Sequence, residues 1–138
     1  METILVLEDD ECALQAIRNI LSLRGSEVLE ARSDAAAVQI LRDYAGPIDV
    51  LIAAVGYHGT HGDMVSCLAW DSRPGLPVLL TASLPVEVLV HQALLDPEIL
   101  NDSRVKVLEK PFTATAMLGR VDVLLQAAAA RAGRVISA

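Results

Sequence analysis

The sequence predicts an α/β domain built on a parallel sheet with helices on both faces. Five apolar runs of four to six residues alternate with longer stretches whose apolar residues recur with helical period. The runs are nearly continuous in their apolar character, as strands covered on both faces must be. At 138 residues, 53% of them hydrophobic, the chain is long enough for one packed core without disulfides or metal staples.

The strands are read at residues 3–7, 27–31, 50–55, 78–81 and 105–108. Between the first two, Ala13, Leu14, Ile17, Ile20 and Leu21 share a helical face, and Gly25 is a stop signal. Ala35, Val38, Leu41 and Arg42 mark a second helix closed by Gly46 and Pro47. Met64, Val65 and Leu68 mark a third, residues 86–95 a fourth, and residues 113 to about 132 a fifth, with Thr113 placed as its cap. Five βα units with right-handed crossovers follow. The domain is assigned to residues 1–130 and a short tail to 131–138.

The chain carries 11 basic and 18 acidic residues, a formal net charge of -7. Residues 1–103 hold 5 basic and 16 acidic side chains, net -11, and residues 104–138 hold 6 and 2, net +4. Such acidity disfavours general binding to nucleic acid. The start has acids where a secretory leader carries basic residues, and no apolar run approaches a membrane span. Cys12 and Cys67 cannot form a disulfide framework and read as reduced thiols packed in helices, so a cytoplasmic location is expected.

In open parallel sheets ligands bind at the carboxyl ends of the strands, near the switch in strand order. There the first strand ends in Glu8, Asp9, Asp10 and Glu11, a crowding that calls for a cation or a lysine. Mg²⁺ suits such oxygens, and Asp10 also suits a helix cap. The fourth strand ends in Thr81 and Ala82, and the fifth runs into Lys110, Pro111 and Phe112.

Val6-Leu7-Glu8-Asp9, Leu80-Thr81-Ala82 and Glu109-Lys110-Pro111-Phe112, in this order and with Gly62 after the third strand, resemble the receiver domain of bacterial two-component response regulators. The likeness covers about residues 3–128 and is similar in kind to the chemotaxis regulators. It implies a three-layer, flavodoxin-like (βα)5 fold with a five-stranded parallel sheet in the order 2-1-3-4-5. It also implies a cytoplasmic signalling role without an enzyme activity of its own, in which a histidine kinase passes a phosphoryl group to an aspartate at the end of the third strand beside a bound Mg²⁺. The acidic pair of that family falls on Glu8 and Asp9, its sensing hydroxyl on Thr81 and its lysine on Lys110.

The acceptor position falls on Ala54, which has no nucleophile. Asp49 lies at the other end of the strand, roughly 16 Å away, and Asp63 lies beyond the loop. By the same resemblance the metal set becomes Glu8, Asp9 and the Gly56 carbonyl without the acceptor carboxylate, so Mg²⁺ binding is expected to be weak or absent. Lys110 is left to pair with Glu8 or Asp9. The aromatic switch position three residues before the lysine is Val107, and residues 96–103 read as an extra loop.

A partner face is expected around the last strand and helix, with Arg104, Lys106, Leu118, Val123 and Leu125 contributing. Its partner would be a histidine kinase, a phosphotransfer protein, another regulator or a second copy in a homodimer, and neither a nucleic acid nor a membrane. The reading is thus a pseudo-receiver that works by protein binding. Its rivals are a phosphoryl acceptor using a substitute acid such as Asp63 and a small-molecule-binding flavodoxin-like module. The segment holding His58, His61 and Asp63 is broken by glycines and reads as a solvated loop rather than a metal site. It lacks a P-loop signature, and no Gly-x-Ser-x-Gly elbow occurs in the chain.

Overall fold

A computed structural model describes residues 1–56 and 59–133. Its strands are Thr3–Leu7 (β1), Glu27–Ala31 (β2), Val50–Val55 (β3), Val78–Ala82 (β4) and Val105–Glu109 (β5). All pair in parallel in the order β2-β1-β3-β4-β5, the predicted 2-1-3-4-5 arrangement. The helices are Glu11–Arg24 (α1), Asp34–Asp43 (α2), Gly62–Ser72 (α3), Val86–His91 (α4), Pro97–Leu100 (α5) and Ala114–Arg131 (α6).

Every residue of β1, β3 and β4 is buried, whereas the edge strands β2 and β5 are partly exposed. Side chains alternate between the faces of each strand. Ile4, Val6, Val50, Ile52, Leu79 and Leu108 pack with Leu14, Ile17 and Leu21 of α1 and Met117, Val121 and Leu124 of α6. Leu5, Leu7, Leu51, Ala53, Leu80 and Ala82 face the other way, onto Ala37 and Leu41 of α2, Val65 and Ala69 of α3 and Leu89 of α4. Burial of each large aliphatic side chain is worth about 1.5–3 kcal/mol relative to exposure. Asp10, Ser33 and Thr113 cap α1, α2 and α6 by accepting hydrogen bonds from backbone N–H groups in the first turn.

Four expectations are corrected. Cys12 and Cys67 are exposed rather than packed in the core. Each lies two residues from a buried position, Leu14 in one case and Val65 and Ala69 in the other, which on a helix is nearly the opposite side. In α2 the buried residues are Ala37 and Leu41, leaving Ala35 and Arg42 exposed and Val38 half-buried. In α3 the buried residues are Gly62, Val65, Ser66 and Ala69, while Met64 and Leu68 are exposed. A Cβ on Gly62 would stand 2.9 Å from the Ala54 carbonyl oxygen and 3.0 Å from the Ala53 Cβ, so α3 sits close to β3 and turns its small residues inward.

The fourth predicted helix divides. It ends at His91, Ala93 takes φ 58°, and the chain turns to bury Leu95 and then Ile99. Pro97 disfavours a helical conformation at Asp96, which instead caps the four-residue α5 inside the expected loop. At the other end α6 runs to Arg131, and residues 134–138 of the expected tail lie outside the described residues.

Candidate functional site

The end of β3 and the residues that follow β1, β3, β4 and β5 line a cavity of about 350 Å³ at the carboxyl edge, among them Glu8, Asp9, Asp10, Ala54, Gly56, Thr60, Ser83 and Lys110. The Glu8 side chain is only 2% exposed and is fully committed. Its Oε1 accepts a hydrogen bond from Lys110 Nζ at 2.5 Å, and its Oε2 accepts one from the Asp10 backbone N–H at 3.2 Å. Lys110 is fixed from its own backbone too, because its N–H donates to the Ala82 carbonyl at 2.7 Å. The bond from Lys110 to Pro111 is cis. A charge so far from water needs its partner, so this pair holds β1 and β5 in one arrangement across the edge.

Ala54 sits next to last in β3, opposite Thr81 of β4, and is 6% exposed. The Thr81 hydroxyl is buried and has no hydrogen-bond partner among the described residues. On the other side of Ala54, its carbonyl oxygen accepts from the buried Thr60 hydroxyl at 2.8 Å. Gly59 has φ 84°, and a Cβ there would come within 1.9 Å of Asp9 Oδ2, so the loop lies directly against the one exposed acid of the expected metal set.

These donors do not fit a divalent cation. Glu8 is occupied by Lys110 and a backbone N–H, Ala54 offers a methyl group, and Asp9 is left as the only carboxylate of the set without a described partner in its own pocket. Among the described residues no group of three or more His, Cys, Asp or Glu side chains is placed to hold a metal ion. Asp63 does not line the cavity. The chemistry lining the cavity is therefore the Lys110–Glu8 pair, the Asp9 and Asp10 carboxylates and the Thr60 and Ser83 hydroxyls, with Ala54 in place of a nucleophile near the end of β3 and Thr81 outside the lining.

His61 goes elsewhere. Its N–H donates to Asp34 Oδ1 at 2.9 Å and its Nδ1 lies 2.7 Å from Asp34 Oδ2, tying the loop after β3 to the start of α2. Sequence reasoning missed this latch and the Thr60 contact, because the partners lie on separate elements. His58 lies outside the described residues.

The expected partner face is thinner than the sequence suggests. Leu118 and Leu125 pack against the α1 and α6 core, and Val107 packs against the opposite cluster. Arg104 bonds Asp102 at 2.7 Å and the Pro74 carbonyl at 2.6 Å, and lies 3.7 Å from the Trp70 ring centroid. The Arg104 guanidinium holds the Asp102 carboxyl below its ordinary value. Lys106 and Val123 remain exposed.

Five parallel strands in the order 2-1-3-4-5 between two helical layers make the receiver fold of response regulators, and the chain has that fold. It superimposes with a TM-score of 0.74 on a CheY-like response regulator receiver domain from Methanospirillum hungatei, at 17% identity over 95% of this chain and 98% of the other. The receiver domain of the hybrid histidine kinase CckA gives a TM-score of 0.71 at 27% identity, covering 90% of this chain and 99% of that one. A protein from Rhodopirellula baltica described as an adenylate cyclase gives 0.78 at 20% identity, covering 96% and 93%. No family model matches the sequence, and no curated protein matches it. Among the described residues no helix is long and apolar enough to cross a membrane.

Proposed function

We propose that this chain is a receiver module of a two-component phosphorelay that accepts no phosphoryl group at the usual place and acts in the cytoplasm by binding a signalling protein. Its partner is a histidine kinase, a phosphotransfer protein or another regulator, and the module contributes no reaction of its own. The observation that supports the reading is that Ala54, the residue the resemblance puts in the acceptor position, lies opposite Thr81 of β4. In-line attack on phosphorus needs a carboxylate oxygen held within about 3–3.5 Å, and a methyl group supplies none. The Lys110–Glu8 pair supports the same reading, since the cation that would meet an incoming phosphoryl group is already neutralised. The module then presents one surface regardless of kinase activity.

Incubation with acetyl phosphate and Mg²⁺, followed by intact-mass measurement, tests this. The expected result is an unchanged mass. A gain of one phosphoryl group, labile to hydroxylamine, would show that another acid serves as acceptor and overturn the reading.

A further inference from the structure

Of the residues by which the sequence marks the second and third helices, Ala35, Arg42, Met64 and Leu68 are exposed and Val38 is half-buried. They face each other across an open groove of about 560 Å³ between α2 and α3, whose lining includes Ala35, Val38, Met64 and Leu68. Met64 is 49% and Leu68 39% exposed, two of the five large hydrophobic side chains left exposed among the described residues, and they are one helical turn apart. The rim is acidic. Asp34 and Asp43 line the groove with Arg42 as the counter-charge, and the exposed Asp71 follows Leu68 by three positions, continuing the α3 stripe. Asp34 is tied to His61, which fixes the α2 end of the groove to the loop after β3.

The geometry points to this groove as the docking surface for an amphipathic helix of a partner protein, one that carries an apolar ridge between rows of Lys or Arg. Charge selects the occupant. An apolar ridge satisfies Met64 and Leu68, and basic flanks meet Asp34 and Asp43 of the groove and Asp71 at the end of the α3 stripe, opposed within the groove by Arg42. An anionic membrane surface would be repelled by the same rim. The inference rests on the reading that the module works by binding, and it gives that reading a surface and a partner chemistry.

The test uses the full chain and a fluorescein-labelled helical 16-mer with leucines at i, i+3, i+7 and i+10 and lysines on both flanks, beside a twin in which the lysines are glutamates. Fluorescence anisotropy should show the lysine peptide binding more tightly than about 100 µM, and roughly tenfold more tightly than its twin. Leu68→Asp should weaken it at least about tenfold, and Met64→Gln less, with unchanged circular dichroism spectra showing that both variants are folded. Weaker binding in salt is expected. Equal binding of the two peptides, no binding at 1 mM, or no loss in Leu68→Asp would overturn the proposal. So would a dimer in sedimentation that Leu68→Asp dissociates, because the occupant would then be a second copy. Failure here leaves the acetyl phosphate result standing, and a phosphoryl gain leaves the groove standing.

Discussion

The two helical layers cover the same sheet in different ways. On one side α1 and α6 send in large residues: Leu14, Ile17, Leu21, Met117, Val121 and Leu124 are all at most 1% exposed. Arg24 ties that layer together by reaching both Glu2 and Asp122 of α6. The partly buried Leu118 and Leu125 widen the contact, while Leu23 and Val123 stay exposed on the outer side. On the other side α2 sends in Ala37 and Leu41, and α3 approaches β3 closely through Gly62, Val65, Ser66 and Ala69, leaving Met64 and Leu68 outward. The inward residues of α3 are mostly small, so the helix sits close to the sheet and its larger Met64 and Leu68 are left outside. Each layer leaves two large apolar side chains exposed, Leu23 and Val123 on one and Met64 and Leu68 on the other, but only the second pair stands one helical turn apart beside a groove.

The strongest way to break that contrast is to truncate matched leucines. Leu124→Ala should cost about 3 kcal/mol in urea unfolding, because it empties a fully packed site. Leu68→Ala should stay within about 0.5 kcal/mol of the parent. Equal losses would mean that Leu68 is buried in solution.

The next effect concerns the carboxyl edge, where the layers meet. Ala54→Asp returns a carboxylate to a cavity that keeps Asp9 and Lys110, and titration calorimetry should show Mg²⁺ affinity rising at least about tenfold. No gain would sharpen the picture differently, by showing that the Lys110–Glu8 pair and not the missing carboxylate closes the site.

The smallest effect tests the open layer's own tie. Arg104→Met keeps an apolar stem over Trp70 and removes the Asp102 pair, at a cost of about 1 kcal/mol or less at neutral pH. Because the folded-state Asp102 carboxyl lies below its ordinary value of 3.8, its contribution is complete above that pH and is lost as pH falls through the lowered value. The stability gap between parent and variant should therefore narrow in acid unfolding curves below about pH 4. A gap independent of pH would assign the whole effect to packing on the ring.

Much of the scaffold was legible because its signals are local. Continuous apolar strands, Asp10 and Thr113 as caps and the order of Glu8, Thr81 and Lys110 are each readable within a few residues. The division of the fourth helix was foreshadowed by Asp96-Pro97, although the apolar period hid it. Facing was less legible, since period says that a helix has an apolar side but not which stripe meets the sheet when two overlap. In α2 and α3 the overlapping stripes gave the wrong side for Ala35, Met64 and Leu68. In α6 the reverse occurred, because the wide apolar arc of Leu118 and Leu125 is core packing.

By itself the sequence determined the five βα units, the parallel sheet and the set of residues gathered at its carboxyl edge, because strand burial and capping depend on side chains a few positions apart. Only the tertiary structure decided that Lys110 pairs with Glu8 rather than Asp9, that His61 latches onto Asp34, and that the apolar surface lies between α2 and α3. Those outcomes join residues up to 102 positions apart, or turn on how closely a glycine lets a helix approach a strand, and no local period encodes either distance.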